Sequence, residues 1–424
     1  RILEAFDFET SIKELSKAYQ KDKYFNYPLQ YSTCKHCEFK TNKETQHLKS
    51  GFKECFNKQL GWTEKEFNEP NAFEIWDFKS WKNLEKSQRL LLKDLDETDF
   101  GDEKPKAGMI SRVERQLIQR EKSINGDESP YVLKDELRQE MSNWKYPLNF
   151  IDFETSTSPL PFFSGQQPYE QVAFQFSHHI YYEDGRVEHA GQYINTTAGD
   201  YPNIAFLRAL KESLDKNKGS IFMYSNYENT IINHLVEEVY KSNLPDRADL
   251  FVFGQQISKG KNDTPLIPWT GYRSMIDLCK VIKDYYYNPH TKGSNSIKQV
   301  LPAIFESSKY IREKYSKSID EINLNSLNLE SDKIWLKMID GKVEDPYKSL
   351  PKVFTEWNDD FEILSEIDDI NNGGAALTAY GKLQYTDMSD DERLKIKDAL
   401  LRYCELDTLA MVMIFEHLKE LTVN

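Results

Sequence analysis

The chain has 424 residues, 39% hydrophobic and 29% charged, with 69 acidic against 55 basic side chains and a formal charge of -14. That composition excludes disordered and collagen-like classes, and this length suggests two or three domains. The longest apolar run, Leu409 to Phe415, is far short of the ~18 residues a membrane-spanning helix needs, so no membrane role is expected. No charged-then-apolar leader opens the chain, and Arg1 stands first, so the start reads as processed or as a fragment lacking an upstream part. The acidic balance argues against passive attraction to nucleic acid, which normally needs a basic stripe. It does not exclude a nuclease, whose bound cations invert the local field.

Residues 1–105 are aromatic, Lys-rich and Cys-containing, and Leu95 to Lys106 collects acids, Gly and Pro as a boundary. Residues 106–146 read as a connector. Within it Arg112 to Met141 is charged and mostly helical, broken at Asn125-Gly126 and Ser129-Pro130. The last domain is 147–424. It opens with a buried strand over Tyr146 to Phe153, then an alternating strand over Val172 to Tyr182. Glu183-Asp184-Gly185 signals a hairpin, with Val187 to Ile194 returning antiparallel. A helix over Ile204 to Leu214, a short strand over Ser220 to Ser225 and a helix over Glu228 to Tyr240 follow, with an edge segment around Asp249 to Phe253. From Ile297 onward the pattern is overwhelmingly helical, including an insert between about Ser308 and Asp369. Ser389 and Glu392 form a capping-box pair that opens a final helix to about Leu421. The expected class is α/β, a mixed sheet flanked by helices, behind a mainly helical Cys-containing region.

Candidate chemistry gathers on carboxylates. Asp152 and Glu154 sit at the end of the first strand, and the two-residue period turns both to one face while Phe153 enters the core. Tyr403 and Asp407, four apart on the last helix, share one face. Glu228 stands just past a strand end, where α/β sheets present functional groups. Hard oxygen ligands suit Mg²⁺ or Mn²⁺, and two such ions ~3.5 to 4 Å apart suit phosphodiester hydrolysis, with the Tyr403 phenol positioning the water. Each group also has a plainer reading: a solvated strand end, a core tyrosine with a helix-face ion pair, and for Glu228 a first-turn acid favoured by the helix dipole. Asp277 reads as structural. Ser294 and Lys298 suit a phosphate at a helix N-terminus, or ordinary capping by Ser294. His178 and His179 alternate faces, one expected inside and the other toward solvent.

The motifs Ile151-Asp152-Phe153-Glu154-Thr155 and Tyr403-Cys404-Glu405-Leu406-Asp407, with Glu228 between them, resemble the tyrosine-containing branch of the DEDD superfamily of 3′-5′ exonucleases. The resemblance implies an RNase H-like fold and two divalent cations held by Asp152, Glu154, Glu228 and Asp407. The second motif departs from it, because Tyr224-Ser225-Asn226-Tyr227-Glu228 carries Glu where proofreading-type members carry Asp. Pro168-Tyr169, Asp277-Leu278, Gly293-Ser294 and Val300-Leu301-Pro302 look like a poorly characterised bacterial family over about 147–421. Members of that family commonly carry this domain behind a RecB-type nuclease region.

Cys34, Cys37 and Cys55 supply three thiolates within 22 positions, and one more ligand completes a [4Fe-4S] or zinc site. Their spacing resembles the tail of RecB-type iron-sulfur nucleases, whose further cysteine lies upstream. His36 or His47 closing a zinc site, and plain free cysteines, are the alternatives. The leading expectation is a cytoplasmic, metal-dependent 3′-5′ exonuclease acting on DNA or RNA. Its competitors are a degenerate exonuclease fold that binds nucleic acid or protein without cutting, and an accessory part of an upstream RecB-type nuclease. Protein partners are unassigned.

Overall fold

The computed structural model describes residues 7–21, 28–42, 45, 47–260, 266–339, 342–354 and 370–423. The chain divides into two compact units, one of 1–104 with 112–127 and one of 105–111 with 128–424. The first change of unit falls at 104/105, inside the stretch Leu95 to Lys106. The expected 106–146 connector is not one element, because its first helix, Arg112–Asn125, belongs to the N-terminal unit and its second, Lys134–Ser142, to the other.

The N-terminal unit is built from short helices around an aromatic core of Tyr31, Phe52, Phe56, Trp62, Phe78 and Phe100. So small a unit needs large rings to remove enough apolar surface from water. Helix Arg112–Asn125 seats in it through two buried amides: Gln116 donates to the Trp76 carbonyl at 2.7 Å and Gln119 to that of Glu74 at 2.6 Å.

The larger unit is built on a mixed sheet of six strands flanked by helices. They are β1 (Leu148–Ser156), β2 (Val172–Tyr181), β3 (Val187–Ile194), β4 (Ile221–Met223), β5 (Ile276–Asp277) and β6 (Leu324–Asn325), in the order β5-β4-β1-β2-β3-β6. β1, β2 and β3 are antiparallel neighbours, whereas β4 pairs parallel with β1, and β5 with β4. The β2–β3 hairpin turns at Gly185, whose φ of 90° is free of strain only without a Cβ.

Alternation along β1 splits the core. Leu148 and Phe150 face one hydrophobic cluster, with the helices α4 (Leu278–Tyr285), α5 (Ile297–Ser307) and the 34-residue α8 (Asp390–Val423). Ile151 and Phe153 face the other, with α1 (Asn203–Leu214), α2 (Tyr227–Lys241) and α3 (Arg247–Ile257). Asp152 and Glu154 continue the Leu148–Phe150 face and so meet α8.

Three expectations are corrected. Asp249 to Phe253 is helix within α3, since Leu250, Phe253 and Ile257 recur at helical spacing and bury against α2. Beyond α5 the chain is not overwhelmingly helical. After a short helix, α6 (Lys309–Tyr315), it runs irregularly through the two-residue pieces Leu324–Asn325, Met338–Ile339 and Lys342–Val343, 355–369 lies outside the described residues, and helix returns in α7 (Gly373–Tyr385) and α8. Finally, neither His178 nor His179 meets solvent, because β2 is central and covered on both faces. His178 bonds Ser213 at 2.8 Å and Asn149 at 3.0 Å on the α1 side, and His179 bonds Thr408 of α8.

The approach to β4 is pinned by buried Arg273. Its guanidinium donates to the carbonyls of Gly219 and Leu214, both at 2.8 Å, and to Asn217 Oδ1 at 3.3 Å. A Cβ on Gly219 would stand 1.7 Å from the Pro147 carbonyl oxygen, so this crossing tolerates only glycine. Arg273→Ala strands those buried acceptors, and the expected cost is ~2–4 kcal/mol. Thermal unfolding checks it: a melting temperature lower by ~5–10 °C is expected, and an unchanged one contradicts the pinning role.

Candidate metal centre

The ends of parallel β1 and β4 bring separate parts of the sequence to one edge. Past β4 the chain turns through Ser225, in the left-handed region at φ 78°, and enters α2 one residue before Glu228. Such a conformation is costly for a residue with a side chain. It is held by Asp277, whose Oδ1 accepts the Ser225 N–H at 2.9 Å and the Lys280 N–H at 3.1 Å. Asp277 is thus structural, capping α4 and fixing the turn that presents Glu228.

One oxygen each of Asp152, Glu154 and Asp407 lies within 4.8 Å of the others. Asp152 is partly exposed, whereas Glu154 and Asp407 are buried. Glu228 is not in that tight group but faces it, buried, with an Oε2 that has no hydrogen-bond partner. Burial lifts the Asp152 carboxyl well above its usual range, and the charges of Asp407, Glu228 and Glu154 add to the lift. Glu154 is raised in the same way by burial, Asp407 and Glu228, against the pull of Lys298. For Glu228, burial followed by Asp277 and Asp407 pushes the pKa to about 8. Asp407 is raised by burial but held back by Lys298 and by the hydroxyls of Tyr347 and Tyr403.

Tyr403 lies on α8 one turn before Asp407, as its spacing implies. Its ring is 2% exposed, and burial followed by the Asp407, Glu154 and Asp152 charges raises its pKa far upward. The phenol therefore stays neutral. Lys298, in the first turn of α5, donates to the Tyr403 hydroxyl at 2.8 Å and to the Asn371 carbonyl at 3.2 Å. This lysine thus borders the carboxylates with its ammonium anchored on the phenol. Ser294 takes a local role, its Oγ accepting the Ser296 N–H at 3.2 Å.

Tyr347 was not foreseen from the sequence. Its hydroxyl donates to Asp407 Oδ1 at 2.5 Å, in a segment with no periodicity to flag it. The Lys298 ammonium lies 4.8 Å from the centroids of both the Tyr347 and Tyr403 rings. The donor set is hard oxygen throughout, which suits Mg²⁺ or Mn²⁺ better than a thiophilic ion.

In the N-terminal unit, Cys34, Cys37 and Cys55 are half-buried free thiols packed against its aromatic core. Burial raises the Cys34 thiol, with Cys37 and Cys55 among the neighbours that add to the rise. His36 and His47 are exposed.

A family model described as "Domain of unknown function (DUF2779)" matches residues 149–296. The match takes in Asp152, Glu154 and Glu228 and ends before Lys298, Tyr403 and Asp407. No curated protein and no solved structure matches the chain.

Crowded carboxyls with raised pKa values make stability depend on pH. Each favours the protonated fold, so its contribution is full below the ordinary carboxylate range and is lost as pH rises through the folded value. For Glu228 that window ends at about 8. In chelator, the protein is expected to lose on the order of 1–3 kcal/mol between pH 5 and pH 8, recovered on adding Mn²⁺. Asp152→Asn should melt higher than wild type in chelator at pH 8 and respond little to Mn²⁺. Equal melting curves for the two proteins, with and without Mn²⁺, would refute the repulsion.

Proposed function

We propose that this chain is a metal-dependent nuclease that removes nucleotides from the 3′ end of DNA or RNA. The observation that carries this reading is the meeting of Asp152, Glu154 and Asp407 oxygens within 4.8 Å on the edge of the six-stranded mixed sheet. Several like charges in a poorly solvated pocket need positive charge, and the unpartnered Glu228 Oε2 is an acceptor that a cation would satisfy. Asp152, Glu154, Glu228 and Asp407 would hold two Mg²⁺ or Mn²⁺ ions. When bound, such ions activate a water and neutralise charge at a phosphodiester.

The chain's own groups supply the rest. Because the Lys298 ammonium donates to the Tyr403 oxygen, the phenol proton is left to point at another acceptor, Asp407 or the attacking water. Lys298 brings a fixed positive charge beside the acids and, in this reading, attracts the substrate phosphate. Tyr347 donates to one Asp407 oxygen and so favours the ionised form that would ligate a cation. The N-terminal cysteines fit a [4Fe-4S] or zinc site completed by a ligand from elsewhere, and a reducing, cytoplasmic setting belongs to this proposal. No helix among the described residues is long and apolar enough to cross a membrane.

A second reading, a fold that grips nucleic acid without cutting it, is favoured by Glu228 standing outside the tight group. End-labelled DNA and RNA incubated with Mn²⁺ separate the two. Shortening from the 3′ end is expected for wild type, with rates at least ~100-fold lower for Asp152→Asn and Asp407→Asn, as for loss of a main electrostatic contributor. Tyr403→Phe should lower kcat more than KM. Binding without cleavage selects the second reading, and equal cleavage by wild type and both carboxylate variants overturns the first.

A further inference from the structure

On the neighbouring turns of α8, between that helix and β2–β3, lies a second cluster that the nuclease reading does not use. Ring nitrogens of His179 and His189 and a carboxylate oxygen of Glu405 all lie within 4.8 Å of one another. All three residues are 0–1% exposed. The imidazoles form a cross-strand pair, with centroids 4.7 Å apart and planes 12° from parallel.

The protons around this cluster can be counted. Thr408 Oγ1 lies 3.0 Å from the Glu405 main-chain oxygen, 2.7 Å from His179 Nδ1 and 2.8 Å from Ser177 Oγ. Ser177 Oγ in turn lies 3.0 Å from His189 Nε2. If the threonine proton goes to the helix carbonyl, Thr408 accepts from His179 Nδ1–H and from Ser177, and Ser177 accepts from His189 Nε2–H. Both neutral rings then turn a bare lone pair inward, on His179 Nε2 and His189 Nδ1. If the threonine proton instead goes to Ser177, the relay reverses and His189 Nδ1–H should hydrogen-bond to Glu405. The geometry favours the first direction. His189 Nδ1 lies 3.2 Å from Glu405 Oε2 without making a hydrogen bond, and His179 Nε2 has no partner at all.

Two buried ring nitrogens without a hydrogen-bond partner, set beside a carboxylate, are poorly satisfied, and a cation would join all three. Their surroundings resemble the outer shell of a metal site. Thr408 and Ser177 fix the two tautomers, and the carboxylate is oriented by Ser326 Oγ and by Asn328 Nδ2, the latter at 2.8 Å. We propose that His179, His189 and Glu405 form a buried structural site for a zinc-class divalent ion, distinct from the Asp152 centre. Two imidazoles and a carboxylate are a borderline donor set that favours Zn²⁺ over Mg²⁺. The ion would tie β2, β3 and the Ser326–Asn328 turn to α8 within three residues of Asp407, so its role is to position the helix that carries Tyr403 and Asp407.

The test counts zinc in full-length protein carrying Cys34→Ser and Cys37→Ser, which removes thiolate binding, after expression with zinc and dialysis against chelator, which strips the open carboxylate centre. About one zinc per chain is expected, because the three ligands are 0–1% exposed and so shielded from the chelator. Cobalt-grown protein should show visible bands of a nitrogen–oxygen site without thiolate charge transfer. Adding His179→Gln or, separately, Glu405→Gln should abolish both signals. Less than a tenth of an equivalent in the folded parent, judged by circular dichroism, overturns the proposal, as does full zinc in folded His179→Gln. The parent's zinc count and cobalt bands are read with the histidines intact, so failure of either variant to fold still leaves a result that can overturn the proposal.

Discussion

The larger unit is organised around a repulsion. Three carboxylates with oxygens inside 4.8 Å of one another, and a fourth buried close by, crowd negative charge where little water can screen it. The fold does not avoid this; it enforces it. β1 delivers two of the acids by strand alternation, the strained turn after β4 delivers Glu228, and α8 delivers Asp407, each from an element locked by its own core contacts. Partial relief comes from Lys298 and from the Tyr347 and Tyr403 hydroxyls, all of which favour the ionised Asp407. None of these lifts the burden from Asp152 or Glu228, whose raised pKa values mark where positive charge is lacking.

Much of this was legible in the sequence, for reasons that differ by element. The β1 to α2 succession follows from clean periods and turn signals, and Val187 to Ile194 matches β3 residue for residue. The same regularity made Asp152 and Glu154 share a face and Tyr403 and Asp407 share another. Asp249 to Phe253 misled because an apolar run of that length has no period of its own and is helical only through its packing on α2. His178 and His179 misled because alternation tells opposite faces apart but not whether each is covered. Tyr347 was invisible: its position depends on an irregular segment closing back on α8, a long-range contact without a local signature.

The long α8 joins the two polar features of the unit. Tyr403 and Asp407 project to the carboxylate edge, and Glu405 and Thr408 project to the histidine pair on β2 and β3. A buried polar network on one side and a crowded acidic site on the other constrain the rotation of the same helix. Buried hydrogen bonds specify packing where they are made, and here Thr408 pairs with both His179 and Ser177. The placement of Asp407 against Asp152 therefore depends on both sides.

If divalent cations neutralise the carboxylate edge, as proposed, their binding must displace protons from it. Calorimetric titration of Mn²⁺ into the full chain near pH 7, in buffers of different ionisation enthalpy, reports the number of protons displaced. Release of about one proton or more is expected, because carboxyls with raised pKa values must ionise to bind, and a smaller release for Glu228→Gln. Absence of binding, or binding with no proton release, would contradict it.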